Sequence, residues 1–136
     1  MKVILFYAPS FWYTTHSKSL PEAPDIDEEA EVRNAVVAFY QLEEHDEERR
    51  DKLLTKFIKN VKWLAGKFET RTVLLHSFGH LSLSKAPADF AADFIASARQ
   101  RLESVDYEVH ETPFGYFNEW KLHCGGDSLA KVFKDL

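Results

Sequence analysis

Two stretches of this chain carry apolar residues at helical spacing, and strand-length apolar runs stand before, between and after them. In the first stretch Leu53, Leu54, Phe57, Ile58, Val61, Leu64 and Ala65 fall three or four apart, forming one stripe of a helix expected over Asp46–Lys67. Asp46 reads as its N-cap, the following glutamates suit the positive end of the dipole, and Gly66 suits the stop. In the second, Phe90, Phe94, Ile95, Ala98 and Leu102 share a face, and Pro87 opens the first turn of a helix over Pro87–Leu102. Between them Arg71–Leu75 reads as a short buried strand, and Asn34–Leu42 and Tyr107–His110 bracket the pair. Strands alternating with helices fix the class as α/β.

The ends of the chain make the expected sheet mixed. Val3–Tyr7 is a continuous apolar run that stops before Pro9, the pattern of a strand buried on both faces. Phe11–Thr15 is rich in β-formers and reads as its hairpin partner. Leu20–Glu29 holds two prolines and five acids and reads as a solvated connection. Glu119–His123 is expected to be the last strand, and Ser128–Phe133 a short closing helix capped by Asp127. At 136 residues, with 45% hydrophobic content, the chain is sized for one domain over 1–136, a mixed β-sheet packed by helices around one core.

Composition excludes several functions. A single cysteine, Cys124, leaves no disulfide framework and no multi-cysteine zinc site, which points to a reducing, cytoplasmic setting and to Cys124 as a core residue. The amino terminus lacks a signal peptide's length, and no run approaches a membrane span. A net charge of −5 argues against sequence-blind gripping of a nucleic-acid backbone, and Lys52, Lys56 and Lys59 read as a solvated helix face. Walker, nucleophile-elbow and dinucleotide glycine motifs are missing. His76 and His80 lack the helix and intervening glutamate of a zinc pair, and His123 and Cys124 point to opposite faces of a strand, so no metal is expected.

Two glycine-freed, aromatic corners at strand ends remain: Ser77-Phe78-Gly79-His80 and Pro113-Phe114-Gly115-Tyr116. They fit two readings alike, tight turns packed shut by aromatics or the walls of one crevice.

Four blocks in order, MKVILFYAPSF, VVAFYQLEEHD, SFGHLSLSKAPADFAADFI and TPFGYFNEWKLHC, span essentially the whole chain. Together they resemble the amino-terminal editing domain of archaeal threonyl-tRNA synthetases. The resemblance implies a D-aminoacyl-tRNA deacylase-like fold, a homodimer, and hydrolysis of seryl-tRNA(Thr) made in error. One methyl group gives a synthetic site only roughly 1–3 kcal/mol of discrimination, so a second, hydrolytic site is needed. The resemblance further implies His80 as the pocket histidine. Ser77 and Gly79 would line the pocket through backbone, Leu42 would lie beside them, and Phe114, Gly115, Tyr116 and Phe117 would form the opposite wall.

The chain departs from the family pattern at two places, with Asn118 where relatives carry lysine and Lys131 where they carry an acid. Asn118 is therefore expected to contact substrate without charge. Lys131, reaching in from the closing helix, is expected to supply the catalytic cation, with Glu119 a secondary participant. A hydroxyl of the terminal adenosine would help activate water, and the domain itself would need no cofactor, ATP and zinc belonging to a full-length synthetase. The implied partners are the aminoacylated 3′ end of tRNA(Thr), a second copy and the synthetic domains. Two rival functions remain: a D-aminoacyl-tRNA deacylase, and a non-catalytic module that docks onto tRNA or a synthetase.

Overall fold

The computed structural model describes residues 1–136. Its first strand, β1 (Lys2–Lys18), runs unbroken through Pro9. Next come β2 (Glu29–Gln41), a 3-10 segment (Glu44–Arg49), α1 (Arg50–Lys67), β3 (Thr72–Ser77), α2 (Ala88–Glu103), β4 (Glu108–Glu111), β5 (Tyr116–His123), a 3-10 turn (Ser128–Ala130) and β6 (Lys131–Asp135). The strand order is β4-β3-β2-β1-β5, with β6 also against β1. β2, β3 and β4 are parallel neighbours joined through the helices, whereas β1 pairs antiparallel with β2, β5 and β6. The class is α/β with a mixed sheet.

Three sequence expectations need correction. Phe11–Thr15 is not a hairpin partner of Val3–Tyr7 but the same strand continued. β6 pairs with Lys2–Phe6 and β5 with Ser10–Lys18, so Pro9 falls between partners, where its missing N–H breaks no ladder bond. Ser128–Phe133 is not a helix: Asp127 caps only a single 3-10 turn, through Leu129 N at 2.8 Å, and then β6 begins. The alternation of exposed Lys131, Phe133 and Asp135 with partly buried Val132 and Lys134 is that of an edge strand. Asp46 is not the N-cap of α1 either. It is fully buried at the third position of the 3-10 segment, in a reciprocal capping box with Glu43.

The helices cover one face of the sheet. The predicted stripes of α1 and α2 are buried there against Val3, Leu5, Val36, Ala38, Val73 and Leu75. The opposite face packs Ala8, Phe11, Tyr13, Val37, Phe39 and Leu74 into a second, smaller cluster.

The sheet curls strongly toward this second face. Ile4 lies opposite Phe39 and Tyr13 opposite Trp120, and a flat strand would set Ile4 and Tyr13 roughly 30 Å apart. Yet the rings of Phe39 and Trp120 stand 5.1 Å apart. The corner is at Pro9 and Asn34, which face each other between the pairs Ala8–Ala35 and Ser10–Arg33, with Asn34 at φ 51. There the inward-facing set of β1 passes from Ile4, Phe6 and Ala8 to Phe11 and Tyr13. That of β2 passes from Phe39, Val37 and Ala35 to Val32. Both strands switch together, so the buried face stays continuous around the bend.

Candidate functional site

The curl brings the end of β2, the end of β3 and the start of β5 around a cavity of about 500 Å³, within the range of small-molecule sites. One wall is the segment that leaves β3, including Ser77, Gly79, His80 and Lys85, with Leu42 beside it. The other is Pro113–Asn118, including Phe114, Gly115, Tyr116 and Phe117. His76 and Trp120 line the floor.

The first wall is anchored by Gln41, only 5% exposed. Its Oε1 accepts from Leu81 N at 2.8 Å and Ser82 N at 2.9 Å. Its Nε2 donates to the carbonyls of Ser82 and Ser84 at 2.8 and 2.9 Å. The Phe78 N–H bonds to Tyr40 O and the Ala86 N–H to Leu42 O, so the segment is tied to β2 at both ends. Glu43 accepts from Ser82 Oγ at 2.6 Å and from the Met1 ammonium at 2.8 Å. Burial pushes the Glu43 carboxyl up, but these hydrogen bonds and the ammonium charge outweigh it and hold it at about 2. Its neighbour Asp46 accepts from Met1 and Arg49, so this acidic pair is already satisfied by cations of the chain.

The second wall depends on Gly115. Its φ is +82, and a Cβ there would sit 3.0 Å from that of Ala23, a conformation only glycine takes without strain. Its carbonyl accepts from Ser19 N and Leu20 N at 2.8 and 3.1 Å. Tyr116 faces the cavity, but its hydroxyl serves the acidic connection: it donates to Pro24 O at 2.7 Å and accepts from Ile26 N at 2.8 Å. Asn118 makes only long bonds from Nδ2, at 3.4 Å to Pro113 O and 3.5 Å to Tyr116 O, and its shielded Oδ1 has no partner.

On the floor, His76 sits among Phe11, Phe39, Phe78 and Trp120 with Nδ1 3.0 Å from Thr112 Oγ1. Burial lowers its pKa to about 4, so the ring is neutral at physiological pH. Burial, with Glu111 nearby, raises the Tyr40 hydroxyl well above its ordinary value, so Tyr40 is no base. No hydroxyl lining the cavity is hydrogen-bonded to a histidine or carboxylate, so no activated protein nucleophile is assembled. The N–H groups of Gly79 and His80 find no acceptor within the protein.

The structure thus gathers nine of the eleven residues singled out from the sequence: Leu42, Ser77, Gly79 and His80 on one side, Phe114 to Asn118 on the other. It leaves out two. Glu119 lies between Asn118 and Trp120 on β5, and strand alternation turns it to the opposite face. Lys131 stands on β6 opposite Phe6, and its Nζ donates to Gly125 O at 2.9 Å. The helix that was to carry Lys131 into the site does not exist. Sequence reasoning missed Gln41, His76, Lys85 and Trp120. The strand parity of Trp120 with Asn118 was its only available signal.

The family described as the archaea-specific editing domain of threonyl-tRNA synthetase matches residues 1–136. The chain belongs to that family. This editing domain is 31% identical to the threonine–tRNA ligase of Hyperthermus butylicus over 99% of its own length and 23% of the ligase. It is 26% identical to the ligase of Thermococcus kodakarensis over 100% of its length and 22% of the ligase. The chain therefore spans about a quarter of the length of these relatives. Among solved structures the editing domain shares its fold with a protein titled c-Myc DNA unwinding element binding protein, with a TM-score of 0.69 at 14% identity, covering 100% of this chain and 99% of that one. No helix is long and apolar enough to cross a membrane.

Proposed function

We propose that this editing domain hydrolyses the ester of L-seryl-tRNA(Thr), and that residues 1–136 form the unit that does so. The observation that carries the reading is a cavity with free backbone donors and no protein nucleophile. Gly79 and His80 line it with N–H groups unused by the fold, and the lining holds no acid. Ester hydrolysis builds negative charge on the carbonyl oxygen, which such donors stabilise, while water is the attacking group. The substrate's terminal adenosine supplies a hydroxyl that orients this water, with His80 beside it. The partners are the aminoacylated 3′ end of tRNA(Thr), a second copy of the chain and the synthetic domains of the ligase, in the cytoplasm. ATP and zinc serve those other domains.

The deciding experiment follows deacylation of Ser-tRNA(Thr) and Thr-tRNA(Thr), each with and without the free hydroxyl on the terminal adenosine. Hydrolysis of the seryl ester alone, lost without the hydroxyl, is expected. Preference for D-aminoacyl esters would make the domain a D-aminoacyl-tRNA deacylase, and inertness toward all of them a docking module.

A further inference from the structure

Lys85 is the one formally charged side chain that lines the cavity. Its ammonium makes no hydrogen bond and no ion pair with the protein, whereas Lys2, Lys18 and Lys131 are all engaged elsewhere. The backbone that carries it is fixed on both sides, by Ser84 O bound to Gln41 and by Ala86 N bound to Leu42 O. Its tip lies across the Gly79 backbone, with Nζ 3.6 Å and Cε 3.8 Å from where a Cβ on Gly79 would stand. Those distances are ordinary van der Waals contact, so the lysine tip rests directly on this part of the wall. Lys85 is also exposed, which sets its charge at the mouth of the cavity rather than on the floor.

We propose that Lys85 binds the phosphate on the 5′ side of the substrate's terminal nucleoside. The inference rests on the editing reading: if an aminoacyl-adenosine fills the cavity, the next group toward the tRNA body is a phosphodiester. A chain of net charge −5 repels that strand at long range. An unpaired ammonium at the mouth of an acid-free cavity supplies the local attraction. A lysine acts here as a point charge on a flexible stem and needs no fixed fork geometry. Lys85 thus makes the site prefer a nucleotide to a nucleoside.

The test compares binding of adenosine 5′-monophosphate and adenosine by calorimetry at low and high salt, in the parent chain, Lys85→Gln and Lys85→Arg, with thermal melts to verify folding. The parent should bind the monophosphate at least about tenfold more tightly at low salt. Lys85→Gln should bring that ratio near one and remove most of its dependence on salt. Lys85→Arg should restore most of the preference. With seryl esters, Lys85→Gln should lower the ratio of kcat/KM for Ser-tRNA(Thr) over seryl-adenosine through KM. A parent indifferent to the phosphate, or a Lys85→Gln chain that keeps the preference, overturns the proposal. So does an equal loss of kcat on both esters, which would put the ammonium at the carbonyl. A phosphate preference that depends on Lys85 in a protein that deacylates nothing would sink the editing reading and leave the phosphate site standing.

Discussion

The segment Phe78–Ala86 and the turn Pro113–Asn118 line the same cavity, yet the bonds of the first converge on one buried side chain, whereas those of the second are spread around a glycine turn over Ser19, Leu20, Pro24 and Ile26. Gln41 alone satisfies four backbone groups of the first segment, adding to the Phe78 and Ala86 N–H bonds that tie its two ends and to the Ser82–Glu43 bond. The second is set by the positive φ of Gly115 and by separate bonds, from Ser19 N and Leu20 N to the Gly115 carbonyl and between the Tyr116 hydroxyl and the Pro24–Ile26 backbone. A wall whose bonds converge on one amide loses four of them together when that amide is lost. A wall whose bonds are spread over several residues loses them singly.

The largest effect should come from Gln41→Leu, which keeps the volume but leaves Leu81 N and Ser82 N without acceptors. It should cost about 4 kcal/mol in denaturant unfolding and expose the amides of Leu81–Ser84 to hydrogen exchange. A loss under about 1 kcal/mol would mean that the segment is held by its other anchors. Next in size is a pH effect at the floor, where the two walls meet. The folded protein keeps His76 neutral down to about pH 4, while the unfolded chain takes up its proton near the ordinary value of about 6.5. Between those values the unfolded state binds more protons, so stability falls as pH is lowered, by up to about 3 kcal/mol. From pH 7 to pH 4 the parent should therefore lose melting temperature relative to His76→Phe, since the variant lacks this penalty; parallel curves would refute it. The smallest effect is that of Gly115→Ala, about 2 kcal/mol from left-handed strain and the contact with Ala23. Hydrogen exchange in that variant should rise around Ser19–Ile26 while Phe78–Ala86 stays protected.

The sequence made the helices legible because each carries a long apolar stripe whose period admits one reading. It misled at Pro9 and at Ser128–Phe133 for a shared reason. Whether a proline breaks a strand depends on what pairs at its N–H, and whether a short apolar run is helix or strand depends on an available edge. The answer for Pro9 lies on β5 and β6 and that for Ser128–Phe133 on the Lys2–Phe6 edge of β1, each more than a hundred residues away in the chain. The cavity walls were visible only through the resemblance of whole blocks, since from the residues alone the two glycine corners admitted a packed turn as readily as a crevice. The lysine of the cavity was missed because local sequence gives no sign that Lys85 crosses Gly79. That contact depends on Gln41 and Leu42, which hold the segment from another strand.

The corner at Pro9 and Asn34 also sets a rule for how chains of this shape can change in length. Because both strands exchange their inward and outward faces at the same rung, a residue lost from one strand alone would turn Val32 outward or Phe11 away from the ring cluster. Insertions and deletions in this ribbon must come in matched pairs across the rung. The alignment of two such proteins is therefore constrained here by strand parity, even where no side chain is shared.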